Sequence, residues 1–337
     1  MNRKKVIFFL GNGFSQGFGF PSMSKLWDIC LTSEDDYYRS QIEEAKKRYP
    51  LNYFISHNIK DIELLLTIWK DYSEAYEMYT NKHKSGRGSY EDYVNNFCDW
   101  LHKYTLDGIK TTLFSAFLVW LKKIATKYEI IMITTNYDLM LEEIFRYCSL
   151  KYHHTGNKEG SFPLRKLHGS ISWFSGKGAI TDARRDIKYE PIFEDEAKKI
   201  FVYNIAYDCL KTPSMKPFHV QFASQVDEYN ANTIPTLIPP IIGKKYEGLF
   251  FQAMNDISKD FEDVDNFIII GYSFPDSDPI VRDKTIEECK RNQQSSQRIV
   301  CINDDRDVCN KVNKLFEKNI QIVHQQWNLE ILKELLE

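Results

Sequence analysis

Residues 6–21 read VIFFLGNGFSQGFGFP. Five apolar residues, Val6 to Leu10, run into Gly11, and Gly13, Gly17 and Gly19 follow before Pro21. A short unbroken apolar run that stops at glycine describes a buried strand feeding a tight turn. Glycine lacks the Cβ that would block close approach, and a helix following the turn presents unpaired N–H groups and the positive end of its dipole. A pyrophosphate suits such a place. The spacing is not GxGxxG, however, and glycine-rich turns after buried strands also serve only to close a loop.

Similar apolar runs recur along the chain. Glu129–Thr134, Thr236–Ile238, Asn266–Gly271, Arg298–Ile302 and Ile320–His324 read as strands, most of the kind buried on both faces of a parallel sheet. Leu113, Phe114, Phe117, Leu118, Leu121 and Ile124 recur in steps of three and four, an amphipathic helix leading into the second strand. The pattern predicts an α/β fold, a Rossmann-like parallel sheet with helices on both faces. A βαβ unit needs about 30 residues. About a hundred separate the first two strands here, so residues 34–110 form a large insertion. Within it Ile62, Leu65, Leu66 and Trp69 share one helical face, and the polar stretch Asn81–Ser89 reads as an exposed tip. These helices either cap the sheet or cover the ligand cleft and form a subunit contact. Residues 175–233 are weakly patterned and read as a small second module. The whole chain is then one domain, with a core made of 1–33, 111–174 and 234–337.

Composition permits this reading. The chain has 337 residues, 43% of them hydrophobic and 14% aromatic, enough to bury a large core. Lys and Arg number 44 against 47 Asp and Glu, and the basic pairs lie scattered among acids. Nothing in that balance calls for nucleic acid as a partner. No segment approaches the ~20 apolar residues of a membrane span. Val6–Leu10 is too short for the apolar core of a signal peptide, so a cytoplasmic location is expected. The seven cysteines are widely spaced with no CxxC pair, which predicts reduced thiols. His153 and His154 are adjacent but lack a second ligand pair at suitable spacing, so no metal is expected.

Three further motifs follow the glycine turn: TTNYD (Thr134–Asp138), KLHGS (Lys166–Ser170) and IIIGYSFPDSD (Ile268–Asp278). With GNGFS and GFGFP, the succession resembles the sirtuin superfamily, and within it the sirtuin-like NAD-hydrolysing domains of bacterial antiviral systems. The resemblance implies NAD as the substrate. It implies a phosphate cradle at Gly11, Asn12, Gly13, Phe14 and Ser15. Asn136 would orient water or the nicotinamide ribose, Asp138 would contact the carboxamide, and His168 would be the catalytic histidine. Gly271 and Ser273 would contact phosphate, and Asn303 the adenosine ribose. The residue types fit the chemistry, since cleaving the nicotinamide–ribose bond passes through an oxocarbenium-like sugar and histidine exchanges protons near neutral pH. Each also has a plain structural reading: His168 as a satisfied turn residue before Gly169, Gly271 as a strand end, Asn303 as the start of a turn.

Departures from the family narrow the activity. Deacylating sirtuins carry two CxxC zinc pairs after the HG motif, whereas only Cys209 lies between His168 and Cys289 here. The zinc module is absent, the usual GAG is GNG, and Ser22-Met23-Ser24 replaces an acidic-aromatic-arginine run. Plain hydrolysis of NAD to nicotinamide and ADP-ribose is therefore the expected reaction, with NAD depletion during phage infection as the implied role. A noncatalytic sensor of NAD or an ADP-ribose derivative is the alternative, and a deacylase or ADP-ribosyltransferase fits less well. Control of such an activity would come from a homo-oligomer or a partner chain such as a ring-forming ATPase.

Overall fold

The computed structural model describes residues 3–22, 25, 27–28, 31–32, 36–80, 111–174, 180–182, 187–189, 191–195, 200–203, 220–222, 235–237, 249–292, 297–317 and 319–337. The exposed tip expected at Asn81–Ser89 lies outside them.

Seven strands form one sheet: β1 (Lys4–Leu10), β2 (Tyr128–Thr134), β3 (Tyr152–His153), β4 (Phe162–Lys166), β12 (Asn266–Ile270), β13 (Arg298–Ile302) and β14 (Gln321–Val323). Their spatial order is β14-β13-β12-β1-β2-β4-β3, and every pairing is parallel. The chain leaves β1 toward β2 on one side and later returns to place β12 on the other. The switch in direction therefore falls between β1 and β12, and the crevice beyond the strand ends there is where open α/β sheets bind ligands.

The β1 and β2 sequences are apolar on both faces because both faces are covered. Val6, Phe8, Leu10, Ile130 and Met132 enter one core, and Ile7, Phe9, Ile131 and Ile133 enter the other. The first core is roofed by α1 (Asn12–Gly17), α3 (Leu51–Ser56), α4 (Ile62–Thr80), α5 (Thr111–Ile124), α6 (Met140–Tyr147) and the terminal α10 (Leu329–Leu336). The second is covered by α7 (Leu249–Asp260), α8 (Pro279–Arg291) and α9 (Arg306–Leu315). The remaining helix, α2 (Asp36–Ala45), adds Ala45 to the first core.

On α5 the expected stripe is the buried one, with Phe114, Phe117, Leu121 and Ile124 at 2% exposure or less. Each such side chain contributes about 1.5–3 kcal/mol by leaving water. The stripe on α4 also turns inward: Ile62, Leu65, Leu66 and Trp69 are buried in the chain's own core. They form no outward face for a second subunit, so the insertion caps the sheet through these residues. Trp327, Ile331 and Leu335, spaced by four, likewise pack against that core.

Two elements depart from the sequence reading. The run predicted as Thr236–Ile238 is a strand, β11 (Pro235–Leu237), but it pairs antiparallel with β5 (Gly169–Phe174) outside the parallel sheet. The weakly patterned 175–233 contains the short strands β6 (Ile180–Asp182), β7 (Ile187–Tyr189), β8 (Pro191–Asp195), β9 (Ile200–Tyr203) and β10 (Val220–Phe222). Three of them form a sheet in the order β10-β6-β7, and the other two join β5 and β11 in a four-stranded one, β11-β5-β9-β8.

Cys148, Cys289, Cys301 and Cys309 are buried free thiols. Among the described residues, no group of three His, Cys, Asp or Glu is placed to hold a metal ion. No described helix is long and apolar enough to cross a membrane.

Candidate functional site

One row of register crosses the sheet: Ile302 pairs with Ile270, Leu10 with both Ile270 and Thr134, and Thr134 with Lys166. TTNYD and KLHGS begin at that row, GNGFS begins one residue past it, and IIIGYSFPDSD crosses it. Gly11, Gly271 and Asn303 lie one residue past it, and Asn136 and His168 lie two residues past it on neighbouring strands. Residues scattered over nearly 300 positions thus meet at one carboxyl-terminal sheet edge, beside the switch between β1 and β12.

The glycines are used first on the chain itself. Gly11 N–H donates to the Ile270 carbonyl at 2.9 Å and Gly13 N–H to the Gly271 carbonyl at 3.1 Å. A Cβ on Gly11 would lie 2.4 Å from the Gly271 oxygen, and one on Gly13 would lie 2.6 Å from the Gly271 Cα. Gly271 has φ +61°, a conformation that favours glycine. The close approach read from the sequence is real, and its immediate partner is the turn after β12. Phe14 points into the core, stacked on Trp327 with ring centroids 5.0 Å apart, while the Trp327 indole N–H donates to the Phe14 carbonyl. Its ring belongs to the packing under α1. Asn12 is half-buried at the start of α1.

TTNYD and GNGFS are joined by a chain of hydrogen bonds. Thr134 Oγ1 donates to the Leu10 carbonyl and accepts from Asn136 N–H. Asn136 Nδ2 donates to the Gly11 carbonyl and to Ser15 Oγ, both at 3.0 Å. Because a carbonyl can only accept, the amide orientation is fixed and Asn136 Oδ1 is left as its acceptor atom. Ser15 Oγ, fully buried, donates to Asp138 Oδ2 at 2.8 Å. Asp138 Oδ1 accepts from Met140 N–H at 2.9 Å, at the start of α6. Both carboxylate oxygens of Asp138 and the Ser15 hydroxyl are therefore engaged in holding Asn136 and the two turns together.

KLHGS rests on a buried ion pair. Lys166 Nζ, 1% exposed, reaches Glu142 Oε1 at 2.8 Å, Ser170 Oγ at 2.9 Å and the Asp138 carbonyl. Burial pushes the Glu142 carboxyl up, against the pull of Lys166. Two residues on, His168 is 2% exposed and its Nε2 lies 2.8 Å from Asp278 Oδ2. Gly169, with φ +84°, then turns the chain into β5. Tyr137 of TTNYD lies alongside, its ring centroid 6.1 Å from that of His168.

The turn after β12 is shaped by Phe274, a buried bulky residue at φ +48° packed on Phe9, Tyr272 and Phe316. That conformation is uncommon for a side chain of this size and costs about 1–3 kcal/mol, which the surrounding aromatic packing offsets. It leaves Ser273 exposed at the rim and carries Asp278 inward. Asn303 is buried at the next strand end, where its Oδ1 accepts from Asp305 N–H at 2.9 Å and shapes the turn into α9.

No protein-family model matches the chain, and no curated protein matches it. Solved structures do. A Sir2 homologue in complex with NAD covers 99% of this chain and 89% of its own, at 14% identity and a TM-score of 0.46. A mutant Sir2 homologue in complex with ADP-ribose covers 99% and 91%, at 15% identity and a TM-score of 0.40. Sir2Tm bound to a propionylated peptide covers 99% and 92%, at 13% identity and a TM-score of 0.39. At these values the likeness carries no argument about this chain, and the chemistry of this site rests on its own residues.

Among the residues the sequence singled out, Gly11, Ser15, Asn136, Asp138 and Gly271 are joined directly by contacts. His168 stands in the turn after β4, the strand next to β2, and Ser273 and Asn303 sit farther along the same edge. Asp278, Tyr272 and the Lys166–Glu142 pair went unassigned. Asp278 and Tyr272 lie inside GYSFPDSD, a motif read only for its Gly and Ser, and nothing in local spacing says which of its polar residues turns inward.

Proposed function

We propose that the chain is an NAD glycohydrolase, cleaving NAD with water to nicotinamide and ADP-ribose. The observation that carries this reading is the placement of Asn136 and His168, each two residues beyond the paired strand ends Thr134 and Lys166. Adjacent strands run about 4.8 Å apart, so the two side chains serve one crevice. Asn136 Oδ1 is an acceptor suited to a ribose hydroxyl or the attacking water. His168 supplies the proton acceptor. As the C1′–N1 bond breaks, its electron pair goes to nicotinamide, which leaves neutral. A water oxygen bonds to C1′ and its proton passes to His168. The dinucleotide's phosphates fit the rim at Asn12 and Ser273, and Asn303 fits the adenosine ribose.

Asp138, which the resemblance places at the carboxamide, also has a bracing part within the chain. With both oxygens engaged by Ser15 and Met140 N–H, it braces Asn136. The solved complexes with NAD and ADP-ribose accord with this substrate. Antiphage NAD depletion, assembly into a homo-oligomer and control by a partner such as a ring-forming ATPase belong to the same proposal and rest on the motif resemblance. Substituting Asn136→Ala or His168→Ala should lower NAD turnover by about 10²–10⁴-fold with the thermal melt retained. Turnover within a few-fold of the parent in both variants would refute the assignment.

A further inference from the structure

The carboxylate of Asp278 occupies the N-cap of α8, with Pro279 beginning the helix, yet it makes no capping hydrogen bond. An Asp at that position ordinarily accepts from the N–H groups of the first turn, worth about 1 kcal/mol. Here the side chain is fully buried and meets other partners. Its Oδ2 lies 2.8 Å from His168 Nε2 and accepts from the Tyr272 hydroxyl at 3.2 Å. A buried carboxylate must be matched by donors, and a neutral imidazole has one donating and one accepting nitrogen.

We infer that Asp278 is the positioning residue of the site: it holds His168 as the Nε2–H tautomer, so that Nδ1 is the nitrogen that accepts the proton. This inference rests on the hydrolase reading for its catalytic consequence but not for its geometry. When water attacks C1′ and gives up its proton to Nδ1, Asp278 keeps its negative charge, retains the Nε2–H bond and stabilises the imidazolium that forms. This is the orienting logic of a histidine–carboxylate pair in hydrolases. Tyr272, on the same oxygen, limits the rotation of the carboxylate. Forgoing the helix cap is the structural sign that the carboxylate is committed to the histidine.

Asp278→Asn keeps the shape and removes the charge. An amide can present either oxygen or N–H₂ to Nε2, and the second choice moves the proton to Nδ1. The expected result is a fall in kcat of about 10²-fold or more with KM within about twofold of the parent. Long-range ¹H–¹⁵N NMR of protein labelled at histidine, with His168→Ala to assign the signal, reads the tautomer directly. The parent should show Nε2–H, and Asp278→Asn a shifted population. The parent spectrum needs no variant to fold. A parent Nδ1–H tautomer would overturn the inference, as would an Asp278→Asn variant with unchanged tautomer and kcat. An Nε2–H tautomer in a parent that leaves NAD intact would uphold the geometric assignment and overturn the hydrolase reading.

Discussion

Gly13 and Gly271 meet backbone to backbone, and the space between them admits no methyl group. A Cβ on Gly271 would stand 2.3 Å from the Gly13 Cα, at a φ of +61° that is itself unfavourable for other residues. Gly156 has a similar φ of +67° with nothing within 4 Å of its would-be Cβ. The two positions separate conformational strain from collision. Gly156→Ala should cost about 1–2 kcal/mol, and Gly271→Ala that amount plus about 1–3 kcal/mol of overpacking, read as a larger fall in denaturation midpoint. Equal falls would mean that the close approach relaxes freely. The sequence shows that these glycines permit close approach, because an apolar run ending in glycine has few other uses. It does not show what approaches, since the partner turn lies about 260 residues away. The role of Asp278 is hidden for the same reason: its partner is a histidine 110 residues earlier, in the turn between β4 and β5.

Strand β4 shows what periodicity misses. Its sequence, FPLRK, contains a proline and two basic residues and does not read as a buried strand. Arg165 and Lys166 are nevertheless 2% and 1% exposed, because Asp260 on α7 and Glu142 on α6 meet them at 2.8 Å. Tertiary pairing makes the strand possible, and no local pattern reports it. β1, β2, β12 and β13 were legible because apolar faces need no such partner. The adjoining His154 carries a consequence for pH. Its Nδ1 is hydrogen-bonded to the Leu164 carbonyl, and burial lowers its pKa to about 3 from the ordinary 6.5. The folded state thus keeps it neutral while the unfolded state takes up a proton below pH 6.5. Below that pH the unfolded chain binds more protons, so stability falls as pH drops toward 3, by up to about 1.4 kcal/mol per pH unit. Thermal melts between pH 7 and 4 should show this slope, and His154→Leu should flatten it. An unchanged slope in the variant would place the acid sensitivity elsewhere.

At the scale of the whole molecule, the parallel sheet turns scattered motifs into one edge. The order β14-β13-β12-β1-β2-β4-β3 sets the glycine turn at the direction switch and brings TTNYD and KLHGS up on its flank. The recurring apolar runs made the fold class legible, and register made the site, which no linear reading contains. The described part of the insertion holds helices, as read, but the apolar stripe on α4 packs against the chain's own core. Assembly, if it uses the insertion, must use other residues than Ile62, Leu65, Leu66 and Trp69. Whether this edge performs hydrolysis is tested most directly by product analysis of NAD incubated with the protein in ¹⁸O-labelled water. The account predicts equimolar nicotinamide and ADP-ribose, one ¹⁸O on the ribose carbon released from nicotinamide, and loss of both products in Asn136→Ala and His168→Ala. Intact NAD, together with ADP-ribose binding of equal affinity in the parent and both variants, would contradict it and make the chain a sensor.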